Sequence, residues 1–191
     1  IDTPLRQLTA LFPEMSIRIL GILRGDEIIV PSSDDQMLDG DEVYFAVDTA
    51  HLARAMAAFG HEEKEARRIV IIGGGNIGLF LATQLAQDHP NVALKIIEIN
   101  QERAEFIADQ LDGVVVLCGD ALDANILNEA SVRTAEAVIA VTNDDQINIL
   151  SSLLAKRDGS QRAMTLVNNA SYGPLMRSLG VDAVINPRAI T

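Results

Sequence analysis

Gly73, Gly75 and Gly78 stand at the spacing Gly-x-Gly-x-x-Gly, directly after the β-prone run Ile69-Val70-Ile71-Ile72 and directly before an apolar helical pattern at Leu79, Leu81, Ala82 and Leu85. Strand, glycine turn and helix in that order are the setting in which a backbone cradles a pyrophosphate. Each glycine has its own task. Gly73 permits the sharp turn, Gly75 lets the backbone lie against the phosphates, and Gly78 lets the helix pack close to the strand. The phosphates would then meet the unpaired N–H groups of the first helical turn, which makes Asn76 and Ile77 candidate contacts beside the glycines.

A second signal falls at a matching distance. Ala93-Leu94-Lys95-Ile96-Ile97-Glu98 reads as the next strand, and Glu98 ends it 20 positions beyond Gly78. A carboxylate there accepts hydrogen bonds from both ribose hydroxyls of an adenine nucleotide and repels a 2′-phosphate, so NAD is favoured over NADP. The competing use of Glu98 is as a solvated acid at a strand end.

Composition bounds the rest. The 191 residues suit one large domain or two small ones, and a hydrophobic share of 48% with 5 Phe, 2 Tyr and no Trp demands an aliphatic core. No apolar run approaches the ~20 residues that span a bilayer, and the start lacks the layout of a signal peptide. A net charge of −12 argues against a nucleic-acid partner and against adhesion to anionic lipid. The single cysteine, Cys118, ends the apolar run Val114-Val115-Val116-Leu117 and is expected to be a buried, inert thiol in a reducing, cytoplasmic setting.

Residues 1–60 differ in kind from the remainder of the chain. Thr3 and Pro4 open a short helix with Leu5, Leu8, Leu11 and Phe12 on one face, which Pro13 ends. Residues 17–24 and 27–31 are expected to pair as a hairpin about Gly25-Asp26. Gly40-Asp41 turns into a strand at 42–47, and 51–59 is helix-prone. Asp34, Asp35, Asp39 and Asp41 match no EF-hand spacing and read as a solvated acidic loop rather than a metal site. Residues 61–68 form a charged connector.

From there strand and helix alternate. Strands are expected at 69–72, 93–98, 114–118, 137–141, 164–168 and 182–186, with helices at 76–88, 101–111, 123–130, 145–157 and 171–179. Such alternation implies a Rossmann-like, doubly wound parallel sheet, with ligands bound at the carboxyl ends of its strands. Three loops at those ends are polar: Gly119-Asp120-Ala121-Leu122-Asp123, Thr142-Asn143-Asp144-Asp145 and Asn168-Asn169. Asp120, with Ala121, is placed on the adenine side, while Asp123 caps the following helix. Thr142 and Asn143 approach the phosphates or the distal half of the ligand, unless the loop is simply a turn capped by Asp144. Arg103 either reaches a phosphate, stacks on adenine, or is a surface arginine.

These motifs, with the tail Leu179-Gly-Val-Asp-Ala-Val-Ile-Asn-Pro-Arg188, occur in the order of an RCK/KTN nucleotide-binding domain, and residues 1–60 resemble the small RCK C-terminal-type subdomain with its Arg24-Gly-Asp26 turn, Pro31 and Gly40-Asp41. The resemblance implies a small α+β subdomain over 1–60, a linker over 61–68 and a nucleotide-binding domain over 69–191. That order is expected of the middle of a duplicated chain whose flanking halves lie outside this sequence. It further implies a regulatory subunit of a potassium uptake system, peripheral on the cytoplasmic face of the plasma membrane. Its partners would be a potassium-translocating membrane subunit of the TrkH/TrkG kind and further RCK domains in a ring. Gly73, Gly75 and Gly78 would hold phosphates, Glu98 the ribose, Asp120 the adenine side and Thr142 the far side, with NAD(H), or ATP or ADP, as ligand. Asn168 departs from the pattern, since related domains often carry a basic residue there.

The alternative is a fragment of an NAD-dependent oxidoreductase. That reading needs a proton-transfer group beside the nicotinamide. His51 and His61 lie in the small module and its connector, His89 ends the first helix of the alternating segment, and Lys95 and Lys156 sit on strand and helix bodies. No catalytic residue is assigned.

Overall fold

The computed structural model describes residues 5–6, 17–25, 27–59, 65–169 and 171–187. Of the helix expected from Thr3 to Phe12, only Leu5 and Arg6 lie within them, and Asp26, His61 and Arg188 lie outside. The chain divides into two compact units, 1–64 and 65–191.

In the first unit, β1 (Arg18–Arg24), β2 (Glu27–Ile29) and β3 (Glu42–Ala46) form an antiparallel sheet in the order β2-β1-β3. A 3₁₀ turn at Thr49–His51, capped by the Asp48 carboxylate on the Ala50 N–H, leads into α1 (Leu52–Ala58). The acidic loop is held by its own polar contacts. Arg24 grips Asp41 with two parallel hydrogen bonds, Nε to Oδ1 at 2.9 Å and Nη2 to Oδ2 at 2.8 Å, while the Leu38 N–H donates to the same Oδ2 at 2.8 Å. Arg6 pairs with Asp34, and the Ser32 N–H donates to Asp35.

The second unit contains the parallel six-stranded sheet expected from the alternation. Its elements are β4 (Arg68–Ile72), α2 (Asn76–Asp88), β5 (Ala93–Glu98), α3 (Gln101–Gln110), β6 (Val115–Cys118), α4 (Ala124–Glu129), β7 (Ala137–Ala140), α5 (Asp145–Asp158), β8 (Arg162–Leu166), α6 (Tyr172–Ser178) and β9 (Ala183–Ile185). Strand order is β6-β5-β4-β7-β8-β9, every pair parallel, so the order reverses between β4 and β7. That reversal opens a crevice at the strands' carboxyl ends.

The continuous apolar strands reflect burial on both faces. In β4, Ile69 and Ile71 join Ile96, Ile107 and Ala82 on one side, while Val70 and Ile72 join Ile97, Val138, Leu127 and Ala155 on the other. Three expectations need correction. The fifth strand of the sheet runs 162–166, not 164–168, because the Asp145 carboxylate takes the Asn168 and Asn169 N–H groups at 2.9 and 3.0 Å and turns the chain out of the ladder. Cys118 is exposed, not buried, since β6 is an edge strand with half-covered faces. Arg68, read as connector, is the first residue of β4.

The Arg24 pair makes the small unit acid-sensitive. The guanidinium, and after it the Leu38 N–H, lower the Asp41 pKa from 3.8 to about 2. A carboxylate whose folded pKa is depressed stabilises fully above its unfolded pKa, and the contribution is lost as pH falls through the folded value, here between about 4 and 2. Asp41→Asn should therefore speed amide hydrogen exchange in β1 and β3 at pH 5, with the gap to the parent chain closing toward pH 2. A gap that stays constant across that range would rule out this pair as its source.

Candidate functional site

Local chemistry sets the glycine turn. Gly73 has φ +102°, a left-handed conformation that side chains disfavour, and a Cβ there would also meet Thr142 Cγ2 and N at 2.9 Å. Its N–H donates to Ile97 O at 2.9 Å, tying the end of β4 to β5. Gly75 is the N-cap of α2 with no side-chain cap, and a Cβ on it would meet nothing within 4 Å. Gly78 is a matter of distance: a Cβ would lie 1.9 Å from Gly73 O, so the helix touches the turn through this residue.

Around this turn lies a cavity of about 740 Å³, within the usual range for small-molecule sites. Gly73, Gly75, Asn76, Ile77, Glu98, Asp120, Ala121, Thr142 and Asn143 line it, and Gly78 stands behind the turn. The β4 turn, the tips of β5 and β6 and the loop after β7 thus converge on one volume at the topological switch point.

Glu98 is built into the turn rather than left in solvent. Its Oε2 accepts from the Gly74 N–H at 2.7 Å and its Oε1 from the Asn100 N–H at 2.9 Å. Asn100 caps α3 through the Arg103 N–H, and Arg103 Nε donates to Gly74 O at 2.7 Å. Gly74 is therefore held through both its N–H and its carbonyl by the β5–α3 corner. Gly74 has a steric need of its own, because a Cβ would meet Ile107 Cδ1 at 2.2 Å. The Gly-x-Gly-x-x-Gly pattern assigns that position no role, so only the packing of α3 exposes it.

Asp120 is exposed and accepts from the Leu122 N–H at 2.8 Å, while Asp123 caps α4 through the Asn125 N–H. In the next loop Asp144 caps α5 through the Gln146 and Ile147 N–H groups, and exposed Asn143 sits at the cavity wall. The Thr142 hydroxyl turns inward and donates to Asn148 Oδ1 at 2.7 Å. Asn148, fully buried, also accepts from the Thr142 N–H and donates through Nδ2 to Thr142 O and Leu166 O. It locks the β7 tip to the β8 tip. Its one available signal was an amide in an otherwise buried helical position. Asn168 lies outside the lining, with both its N–H and Nδ2 on Asp145.

The glycine geometry separates two substitutions. Gly78→Ala forces α2 away from the turn and should destabilise the unit by about 1–3 kcal/mol or more, the scale of overpacking. Gly75→Ala adds a methyl in open space and should leave thermal melting close to the parent's while obstructing ligand. Melting curves followed by circular dichroism check both; equal melting of the two variants would refute the assigned roles.

A TrkA-C domain model matches residues 1–60 and a TrkA-N domain model matches 69–187. The Trk system potassium uptake protein TrkA of Azorhizobium caulinodans is 46% identical over 191 residues, 100% of this chain and 42% of that protein. The Vibrio alginolyticus TrkA is 36% identical over the same length, 41% of that protein. The chain thus spans about two fifths of the length of the curated relatives it matches. Among solved structures, the GsuK RCK domain superposes with TM-score 0.66 at 23% identity, over 99% of this chain and 40% of that one. The GsuK channel bound to NAD gives 0.66 at 21% identity, over 99% and 33%. GsuK bound to ADP gives 0.55 at 20%, over 71% and 37%. At such identities these likenesses speak for the fold. The chain belongs to the TrkA family, with a TrkA-C domain followed by a TrkA-N domain.

Proposed function

We propose that this chain is the nucleotide-sensing part of a regulatory subunit that gates a potassium-translocating membrane protein during potassium uptake. The observation that carries the reading is the state of Glu98. An ionised carboxylate has about four lone-pair positions. One on each oxygen is used by the Gly74 and Asn100 N–H groups, which leaves one on each oxygen for a vicinal diol. A ribose supplies that diol, and the acceptor sits beside an open Gly75 and the N-terminus of α2, where phosphate N–H donors are available.

NAD(H) is the favoured ligand, with ATP or ADP able to use the same half-site. Gly73, Gly75, Asn76 and Ile77 serve the phosphates, Gly78 supports the turn, Glu98 holds the ribose, Asp120 and Ala121 flank the adenine, and Thr142 and Asn143 line the far half. GsuK, solved with NAD and with ADP, supplies a relative in fold that takes both kinds of ligand. The charged residues lining the cavity are Glu98, Arg103, Asp120 and Asp144; no His, Lys, Tyr or Cys lines it among the described residues. In this reading a bound nucleotide acts by differential affinity for the arrangements of the assembly. A tenfold preference for one arrangement of the assembly supplies about 1.4 kcal/mol per site.

In this reading the subunit sits on the cytoplasmic face of the membrane, peripheral to a TrkH/TrkG-like partner and associated with further RCK domains, and the similarity to TrkA proteins supports it. Among the described residues no helix is long and apolar enough to cross a membrane. Calorimetric titration with NADH, NADPH and ATP tests the ligand. NADH or ATP should saturate, NADPH should bind more weakly, and Glu98→Ala should lose about 1–3 kcal/mol, the scale of hydrogen bonds to a charged group. Absence of saturable binding by any of the three would sink the nucleotide reading.

A further inference from the structure

Arg103 has a second half that the turn does not use. Its Nε donates to Gly74 O at 2.7 Å and its guanidinium lies 5.0 Å from the centre of the Phe106 ring, one turn further along α3. Both contacts preorganise the group, since a cation on an aromatic face and a planar fork lose little freedom on binding. Its Nη2 is buried with no hydrogen-bond partner. A buried donor left unmade costs stability, and an anionic oxygen is the acceptor that best recovers it.

The surrounding charge gives that donor a purpose. The chain carries a net charge of −12, and of the charged side chains lining the cavity three, Glu98, Asp120 and Asp144, are acids while Arg103 is the one base among the described residues. Lys95 and Lys156 are committed elsewhere, to Glu129 O and Ser131 Oγ and to Gln161 O and Asp182. A ligand diphosphate entering this field meets repulsion from the acids that the turn's N–H groups must offset with a single cationic side chain. We propose that Arg103 is the specificity-determining residue that makes affinity here depend on ligand phosphate charge. It does so by supplying the cavity's cation and by holding Gly74 O so that the turn's N–H groups stay aimed at the phosphates. This inference rests on the nucleotide reading above.

The test is calorimetric titration of the parent chain, Arg103→Gln and Arg103→Lys with adenosine, AMP and ADP at low and high salt, with melting curves to establish folding. In the parent, affinity rises from adenosine to ADP and the ADP step shrinks with salt. Arg103→Gln loses about tenfold or more for ADP and less than about twofold for adenosine, the difference expected of a charge-assisted hydrogen bond. Arg103→Lys keeps the charge but neither the Nε bond to Gly74 O nor the planar fork, so it restores part of the ADP affinity. An equal loss on adenosine and ADP, or no loss on either, overturns the role of Arg103, as does a lysine variant that behaves like the glutamine one. If the parent binds none of the three ligands, the failure lies with the nucleotide reading itself.

Discussion

The site depends on how closely α2 approaches the end of β4. The Gly73 carbonyl occupies the space in which any other residue at 78 would place its Cβ. That contact sets where the helix begins relative to the sheet, and so where its unpaired N–H groups point. Because Ile69 to Ile72 are buried on both faces, β4 has no freedom to shift and absorb a wider separation. The left-handed turn at Gly73, pressed against Thr142, carries the same constraint across the switch point to β7.

From this fixed turn outward, polar groups take over from packing. Gly74 is gripped by Glu98 through its N–H and by Arg103 through its carbonyl. Glu98 thus also shapes the glycine turn, so the β5 tip and the turn are mechanically one unit. On the opposite wall, Asn148 joins Thr142 to Leu166, and Asp145 gathers the chain after β8. The two walls rest on different polar knots, each anchored to a helix. A ligand that touched both walls would connect α3 to α5 through itself.

The small unit ties its acidic loop down with charge. Its sheet has three strands, and the loop between β2 and β3 is acidic. The bidentate Arg24–Asp41 pair, with the Asp41 side chain only 3% exposed, ties that loop to β1 beside the buried Met37. Of the aspartates that could suggest a cation site from sequence, Asp34 pairs with Arg6, Asp35 accepts from the Ser32 N–H, and Asp41 takes Arg24 and the Leu38 N–H.

Much was legible from sequence because it was local or periodic. Glycine spacing, the apolar runs buried on both faces, the acid at the end of β5 and the caps Asp123 and Asp144 are all written in short windows where residue type implies conformation. Helix α2 was read to the residue, since the turn marks its start, and β8 was misplaced by two residues because nothing nearby reveals that Asp145, 23 positions before Asn168, takes its backbone. The exposure of Cys118 depended on β6 falling at the sheet edge, which strand order alone decides. Gly74, Asn148 and the unpaired half of Arg103 gained meaning only when α3, α5 and the β8 tip were brought against the turn. Sequence by itself determined the alternation of elements, the position of the turn and the family. The tertiary structure alone decided which polar groups are already satisfied by the protein, because hydrogen-bond partners far apart in the chain meet only in the folded sheet.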